Sequence, residues 1–117
     1  MPALQRIAPE LPVFDVPNSL RYYEAKLGFR TVMIMPDGDY AIVERDEVAI
    51  HLFKTGHGDA AGSVHVFAEG LDDLHGEFER TGARMKQGIV TQPWGTRDFR
   101  VLDDSGNEIK FTEPTPS

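Results

Sequence analysis

The sequence contains no cysteine and only one tryptophan. Without cysteine there is no disulfide framework, no thiolate metal site and no cysteine nucleophile. No apolar run approaches the roughly 20 residues needed to cross a bilayer. The opening stretch MPALQRIAPELPV lacks the layout of a secretory signal. Basic residues are also scarce: 12 Lys and Arg stand against 19 Asp and Glu, a net charge of −7. A surface of that sign repels nucleic acid and anionic lipid, and no run of Lys or Arg compensates for it. These absences set the expectation of a cytoplasmic protein whose partner is a small molecule, with neither nucleic acid nor membrane. The acidity itself serves either solubility or the attraction of a cation. At 117 residues, the length is that of one domain, 1–117, which pairing with a second copy would help to stabilise.

The chain says similar things twice. NSLRYYEAKLGFR and DDLHGEFERTGAR share a layout in which Leu20 matches Leu74, Lys26 matches Arg80 and Gly28 matches Gly82. Farther on, YAIVERDEVAIHLF lies over FRVLDDSGNEIKFT, so that Tyr40 meets Phe99, Ile42 meets Val101, Val43 meets Leu102 and Ile50 meets Ile109. Each half reads as strand, helix and three strands. Leu20, Tyr23 and Leu27 mark the buried face of the first helix, Asn18 or Ser19 is placed to cap it, and Gly28 ends it. The second helix starts near Asp72, buries Leu71, Leu74 and Phe78, and stops at Gly82. PDGD, RDE and DDSGN are turns, and strands joined by tight turns pair antiparallel. The expected architecture is α+β, with two tandem βαβββ modules (about 5–54 and 63–113) joined by a polar linker (55–62) and forming a curved mixed sheet around a cavity. The tail EPTPS is expected to be disordered.

Trp94 stands between Pro93 and Gly95, in the stretch where the second half carries extra length. A lone tryptophan usually belongs to a core. A proline and a glycine beside it instead make a fixed, exposed turn, so Trp94 reads as a lid over a ligand. Tyr40, at the start of a strand, reads equally well as edge packing or as a pocket wall. Asp37, Asp39 and Asp98 lie near these aromatics in sequence and read as solvated turn residues or as a lure for a cation. His57 falls in the linker, and His75 on the second helix is expected to face solvent.

FDVPNSLRYYEAKLGF, EGLDDLHGEFERTGA and RVLDDSGNEIKF, taken together, resemble the vicinal oxygen chelate superfamily over residues 5 to 113. That group includes glyoxalase I, extradiol dioxygenases and bleomycin-resistance proteins. QPWG (Gln92 to Gly95), followed by Arg97, Asp98 and Phe99, resembles the drug-sequestering branch, with Thr96 as one extra residue. The resemblance implies that Trp94 and Tyr40 sandwich a flat heteroaromatic ring. It also implies that His65 and Phe67 stand at or beside further aromatic positions, although His65 departs from the branch's tryptophan. Gly95, Asp98 and His51 complete the expected ligand-binding set. A homodimer is also implied, with the first strand exchanged after a hinge at Pro9.

Enzymes of the superfamily hold a divalent metal at four places that fall here at Ala8, His51, Ser63 and Lys110. Only His51 is a competent ligand, and recruiting Glu10, His65 or Glu108 is expected to turn those side chains to the opposite sheet face. The expectation is therefore no metal, no cofactor, no catalytic residue, and sequestration of an aromatic, cationic antibiotic of the bleomycin type. The alternatives are a metal-dependent glyoxalase- or dioxygenase-like enzyme, and a non-catalytic regulator or storage protein.

Overall fold

A computed structural model describes residues 1–56 and 61–115; His57 and half of the expected linker lie outside them. The elements run β1 (Glu10–Val13), α1 (Val16–Leu27), β2 (Arg30–Ile34), β3 (Tyr40–Arg45), β4 (Val48–Lys54), β5 (Ser63–Phe67), α2 (Leu71–Thr81), β6 (Arg84–Thr91), β7 (Thr96–Leu102) and β8 (Glu108–Pro114). This is βαβββ twice. The strands form two four-stranded mixed sheets, in the orders β1-β4-β3-β2 and β5-β8-β7-β6. In each sheet one parallel pair, β1 with β4 or β5 with β8, joins an antiparallel meander.

Alternation decides which face of each sheet is covered. Leu11, Val13, Ala41, Val43, Ile50 and Leu52 point into the core from the first sheet, while Phe99, Val101, Ile109 and Phe111 do so from the second. Helix α1 supplies Leu20, Tyr23 and Leu27, and α2 supplies Leu71 and Phe78. Both helices stop at a glycine in the left-handed region, Gly28 at φ 74° and Gly82 at φ 82°, where a Cβ would be strained.

Three expectations are corrected. Helix α1 is capped by Asp15, whose carboxylate accepts the Asn18 N–H at 2.9 Å, because Pro17 fits in a first helical turn and lets the helix begin before Asn18. The tail is not loose up to Thr115: β8 continues to Pro114, and Thr115 N–H donates to the Gly95 carbonyl at 2.9 Å. His75 does not face open solvent, since its ring stands edge-on to Phe99 at 5.2 Å beside Glu79.

The two modules grip each other reciprocally. Val43 pairs with Ile50 and Val101 with Ile109, so Arg45 and Asp103, each two residues on, hold the same place in the two meanders. Tyr23 and Glu77 likewise lie equally far before the glycines that end their helices. Arg45 makes two bonds to Glu77, at 2.7 and 2.9 Å, and donates a third to the Leu27 carbonyl. Asp103 accepts from the Tyr23 hydroxyl at 2.8 Å. Each module's turn thus holds the other module's helix, by an ion pair in one case and by a buried tyrosine–carboxylate bond in the other.

The Asp103 side of the clasp is the more deeply committed. One carboxylate oxygen accepts the N–H groups of Ser105 and Asn107, and the other accepts Tyr23 and the Asn107 amide. Asn107 in turn donates to the Pro12 carbonyl and accepts the Gly62 N–H. The DDSGN segment is therefore a turn and also the junction of β1, α1 and the start of β5. Burial and the Asp103 charge hold the Tyr23 phenol well above its ordinary pKa. Asp103→Ala should cost about 3 kcal/mol or more, since it strands several buried donors. Glu77→Ala, at a half-exposed pair, should cost about 1 kcal/mol. Urea denaturation of the two variants checks the order; equal losses would contradict it.

Candidate functional site

The faces turned away from the core carry the chemistry. On the first sheet the parallel register sets Glu10 opposite His51, and Tyr40 lies on the same face one strand over. The Tyr40 hydroxyl is 2.6 Å from Glu10 Oε2 and 2.6 Å from His51 Nδ1. An ionised carboxylate only accepts, so the single phenolic proton goes to Glu10 and His51 Nδ1 must donate to the tyrosine oxygen. A neutral His51 therefore carries its proton on Nδ1 and leaves Nε2 as an acceptor. The bond to Glu10, aided by burial and by the Glu10 charge, raises the Tyr40 pKa to about 12. The Tyr40 and His51 rings meet edge-to-face at 5.7 Å.

On the second sheet His65 lies opposite Lys110, and Asp98 opposite Thr112. His65 Nε2 and Thr112 Oγ1 are hydrogen-bonded at 2.5 Å. Phe67, 70% exposed, stacks on the His65 ring at 4.5 Å. Burial and the neighbouring Lys110 charge lower the His65 pKa. Asp98 is a buried strand residue, not a solvated turn acid at the rim: it is 0% exposed and accepts from the amides of Gln87 at 2.9 Å and Gln92 at 3.0 Å. Burial alone would raise its pKa, but those two amides and the charges of Lys110 and Arg100 outweigh it and hold the carboxyl below its usual range. Glu108 accepts from Lys86 and from Arg100, each at 2.6 Å.

The registers make these two groups counterparts. Glu10 matches His65, Tyr40 matches Asp98 and His51 matches Lys110. The matching of Tyr40 with Phe99 is thereby corrected by one residue. Val43 stands with Val101, because the β7–β8 turn is one residue longer than the β3–β4 turn. The face expected for Glu10, His65 and Glu108 is corrected too. Each lies two residues from Ala8, Ser63 or Lys110, and a step of two keeps a side chain on the same face. Glu10 accordingly shares a face with His51, and His65 and Glu108 share one with Lys110. Glu10, Thr112, Gln87 and Gln92 were missing from the expected binding set. Hydrophobic pattern cannot show them, because cross-strand register is what brings them in.

Trp94 is at the tip of the β6–β7 turn and 68% exposed. The turn is pinned: Gln92 N–H donates to the Thr96 carbonyl at 2.7 Å, and the Gly95 carbonyl accepts both the N–H and the hydroxyl of Thr115. Gly95 adopts φ 98°. Among the described residues, ring contacts join Tyr40 to His51 and His65 to Phe67, but none joins the two sheets' groups to each other or to Trp94. No group of three or more His, Asp or Glu among the described residues is placed to hold a metal ion. A cleft of about 730 Å³ opens elsewhere, at the junction of the modules between Val48, Leu74, Phe78 and Phe111, and of the expected site residues only Phe67 reaches it. A smaller hollow of about 220 Å³ is walled by Ile7, Val48, Val64, His65 and Phe67.

The chain has three tyrosines, and Tyr22 and Tyr23 are also shifted upward, chiefly by burial. Ultraviolet titration of the folded protein should therefore show no phenol ionising near pH 10, and Glu10→Gln should bring one back toward that value. A full-amplitude transition near pH 10 in the unmutated protein would contradict the Glu10–Tyr40 bond.

Comparison with known proteins gives the family and the fold. A bleomycin resistance protein of Geobacillus stearothermophilus is 30% identical over 129 residues, covering 93% of this chain and 96% of the relative. The same figures hold for one from Staphylococcus aureus. The crystal structure of the bleomycin-binding protein from bleomycin-producing Streptomyces verticillus, complexed with copper(II)-bleomycin, superposes with a TM-score of 0.79 at 25% identity over the whole of both chains. TioX from Micromonospora sp. ML1 shares the fold, with a TM-score of 0.84 at 21% identity, covering 94% of this chain and 98% of that one. The model of the glyoxalase/bleomycin resistance protein/dioxygenase superfamily matches residues 3–111, and the chain belongs to that superfamily.

Proposed function

We propose that the protein binds and sequesters a flat, aromatic, cationic antibiotic of the bleomycin type without transforming it, and so protects a cell from the drug. The observation that carries this reading is the Trp94 ring, exposed on a turn that Thr115 staples from the far end of β8. A turn whose backbone is held before the ligand arrives loses little freedom on binding. The His65–Phe67 stack offers a second aromatic surface on the same sheet, and Tyr40 offers one on the other. The names of the relatives and the copper(II)-bleomycin bound to the Streptomyces verticillus protein support the same ligand class.

The superfamily's divalent metal does not fit these side chains. Register gives Glu10, His51, His65 and Glu108 as donors, so the difficulty is not a shortage of ligating residue types. Rather, the Tyr40 hydroxyl engages both Glu10 and His51, His65 Nε2 is taken by Thr112, Glu108 is bonded to Lys86 and Arg100, and Lys110 adds positive charge beside His65. The competing reading, a metal-dependent enzyme, rests on those four donors alone. Metal analysis of protein purified without chelator separates the two, since a stoichiometric divalent ion would favour the enzyme.

The chain works as one cytoplasmic domain, with modules at about 5–54 and 63–113, and as a homodimer. No helix among the described residues is long and apolar enough to cross a membrane. Leu4 and Ile7 are 103% and 94% exposed on an N-terminal arm that forms no strand before Glu10, while the junction cleft leaves apolar walls open. An arm exchanged at Pro9 would cover both surfaces.

Micromolar bleomycin should quench the Trp94 fluorescence, and Trp94→Ala should weaken binding, measured by calorimetry, by at least ~1 kcal/mol. Absence of both quenching and heat at micromolar drug would overturn the reading.

A further inference from the structure

The cations of the second sheet's open face are nearly all spoken for. Lys86 and Arg100 converge on Glu108, Arg84 donates to the Asp103 carbonyl, and Asp98 has each oxygen bonded to a glutamine amide. Lys110 is the exception. It sits half-buried on β8, between His65 on one side and Arg100 on the other. Its side-chain ammonium makes no hydrogen bond or ion pair to any described residue. Arg100 beside it leaves a buried Nε–H without an acceptor. Two adjacent strands therefore present donors that lack acceptors, next to the exposed Phe67 ring stacked on His65. The counterpart place in the first module behaves oppositely: His51 Nδ1 is bonded there to the Tyr40 hydroxyl, which in turn donates to Glu10.

We propose that Lys110, with Arg100, forms an anion subsite, and that the ligand end seated on the second sheet is a planar aromatic ring bearing a carboxylate or similar anionic group. This rests on the binding reading above and refines it. Asp98 offsets part of the Lys110 charge but spends its two oxygens on glutamine amides, so the half-buried ammonium has no bonded acceptor until a ligand brings one, and a carboxylate supplies acceptors without demanding donors. The ring carrying that carboxylate then lies against Phe67. A cationic portion of the same ligand belongs toward the first sheet, where Glu10 and the His51 Nε2 acceptor lie.

The test uses three probes of one shape: quinoline-2-carboxylate, quinoline-2-carboxamide and 1-methylquinolinium. Calorimetry measures each against the unmutated chain, Lys110→Met and Lys110→Arg, with bleomycin titrated in parallel. The carboxylate should bind about tenfold or more tightly than the amide. That preference should vanish in Lys110→Met and largely return in Lys110→Arg, and added salt should reduce it. Unchanged urea midpoints for the variants show that the fold is intact. If bleomycin binds but the carboxylate holds no advantage, or keeps it in Lys110→Met, the anion subsite is refuted while the binding reading stands. If bleomycin and all three probes fail to bind, both are refuted.

Discussion

A buried carboxylate with four donors around it holds the two halves of this molecule in their relation. Asp103 binds the hydroxyl of Tyr23 from the opposite module, and through Asn107 it reaches the Pro12 carbonyl and the Gly62 N–H. At the equivalent place Arg45 holds Glu77. The same architectural position is thus used twice with different chemistry, once buried and once half-exposed. An unpaired buried polar group costs more than a made bond returns, so the Asp103 junction tolerates little change. With it in place, each sheet packs one face into the common core and leaves the other free.

What the free faces carry follows from register more than from composition. Two parallel pairings place Glu10 beside His51 and His65 beside Lys110, and the meanders add Tyr40 to one trio and Asp98 to the other. The trios occupy matched positions and have opposite character. The first offers acceptors, its proton flow fixed by a tyrosine between a carboxylate and an imidazole. The second offers donors, with its two nearby acids, Asp98 and Glu108, already bonded. A ligand gripped by both would feel a gradient from acceptor to donor along its length.

Much of the scaffold was legible in the residues. Gly28 and Gly82 mark helix ends because only glycine enters the left-handed region freely, and the recurrence of Leu20 with Leu74 exposes the duplication. PDGD and DDSGN announce their turns. The site was less legible. Asp98 reads as a turn acid until β7 is seen to start at Thr96, which makes it a buried strand residue. The tail reads as loose because its composition is polar and proline-rich, yet Thr115 closes the Trp94 turn. Tyr40 and Phe99 look equivalent until the extra residue in the β7–β8 turn is counted. Each miss has the same origin: a turn one residue longer, or a pairing between distant strands, sets which side chains meet.

Chemical-shift mapping with bleomycin tests the placement of the ligand most directly, because the open faces and the junction cleft carry different residues. The expected perturbations fall on the Trp94 indole N–H, His65, Phe67 and Lys110 of the second sheet and on Tyr40 and His51 of the first. Perturbations confined to Val48, Leu74, Phe78 and Phe111 would put the drug in the cleft between the modules and contradict a site built on the outward faces.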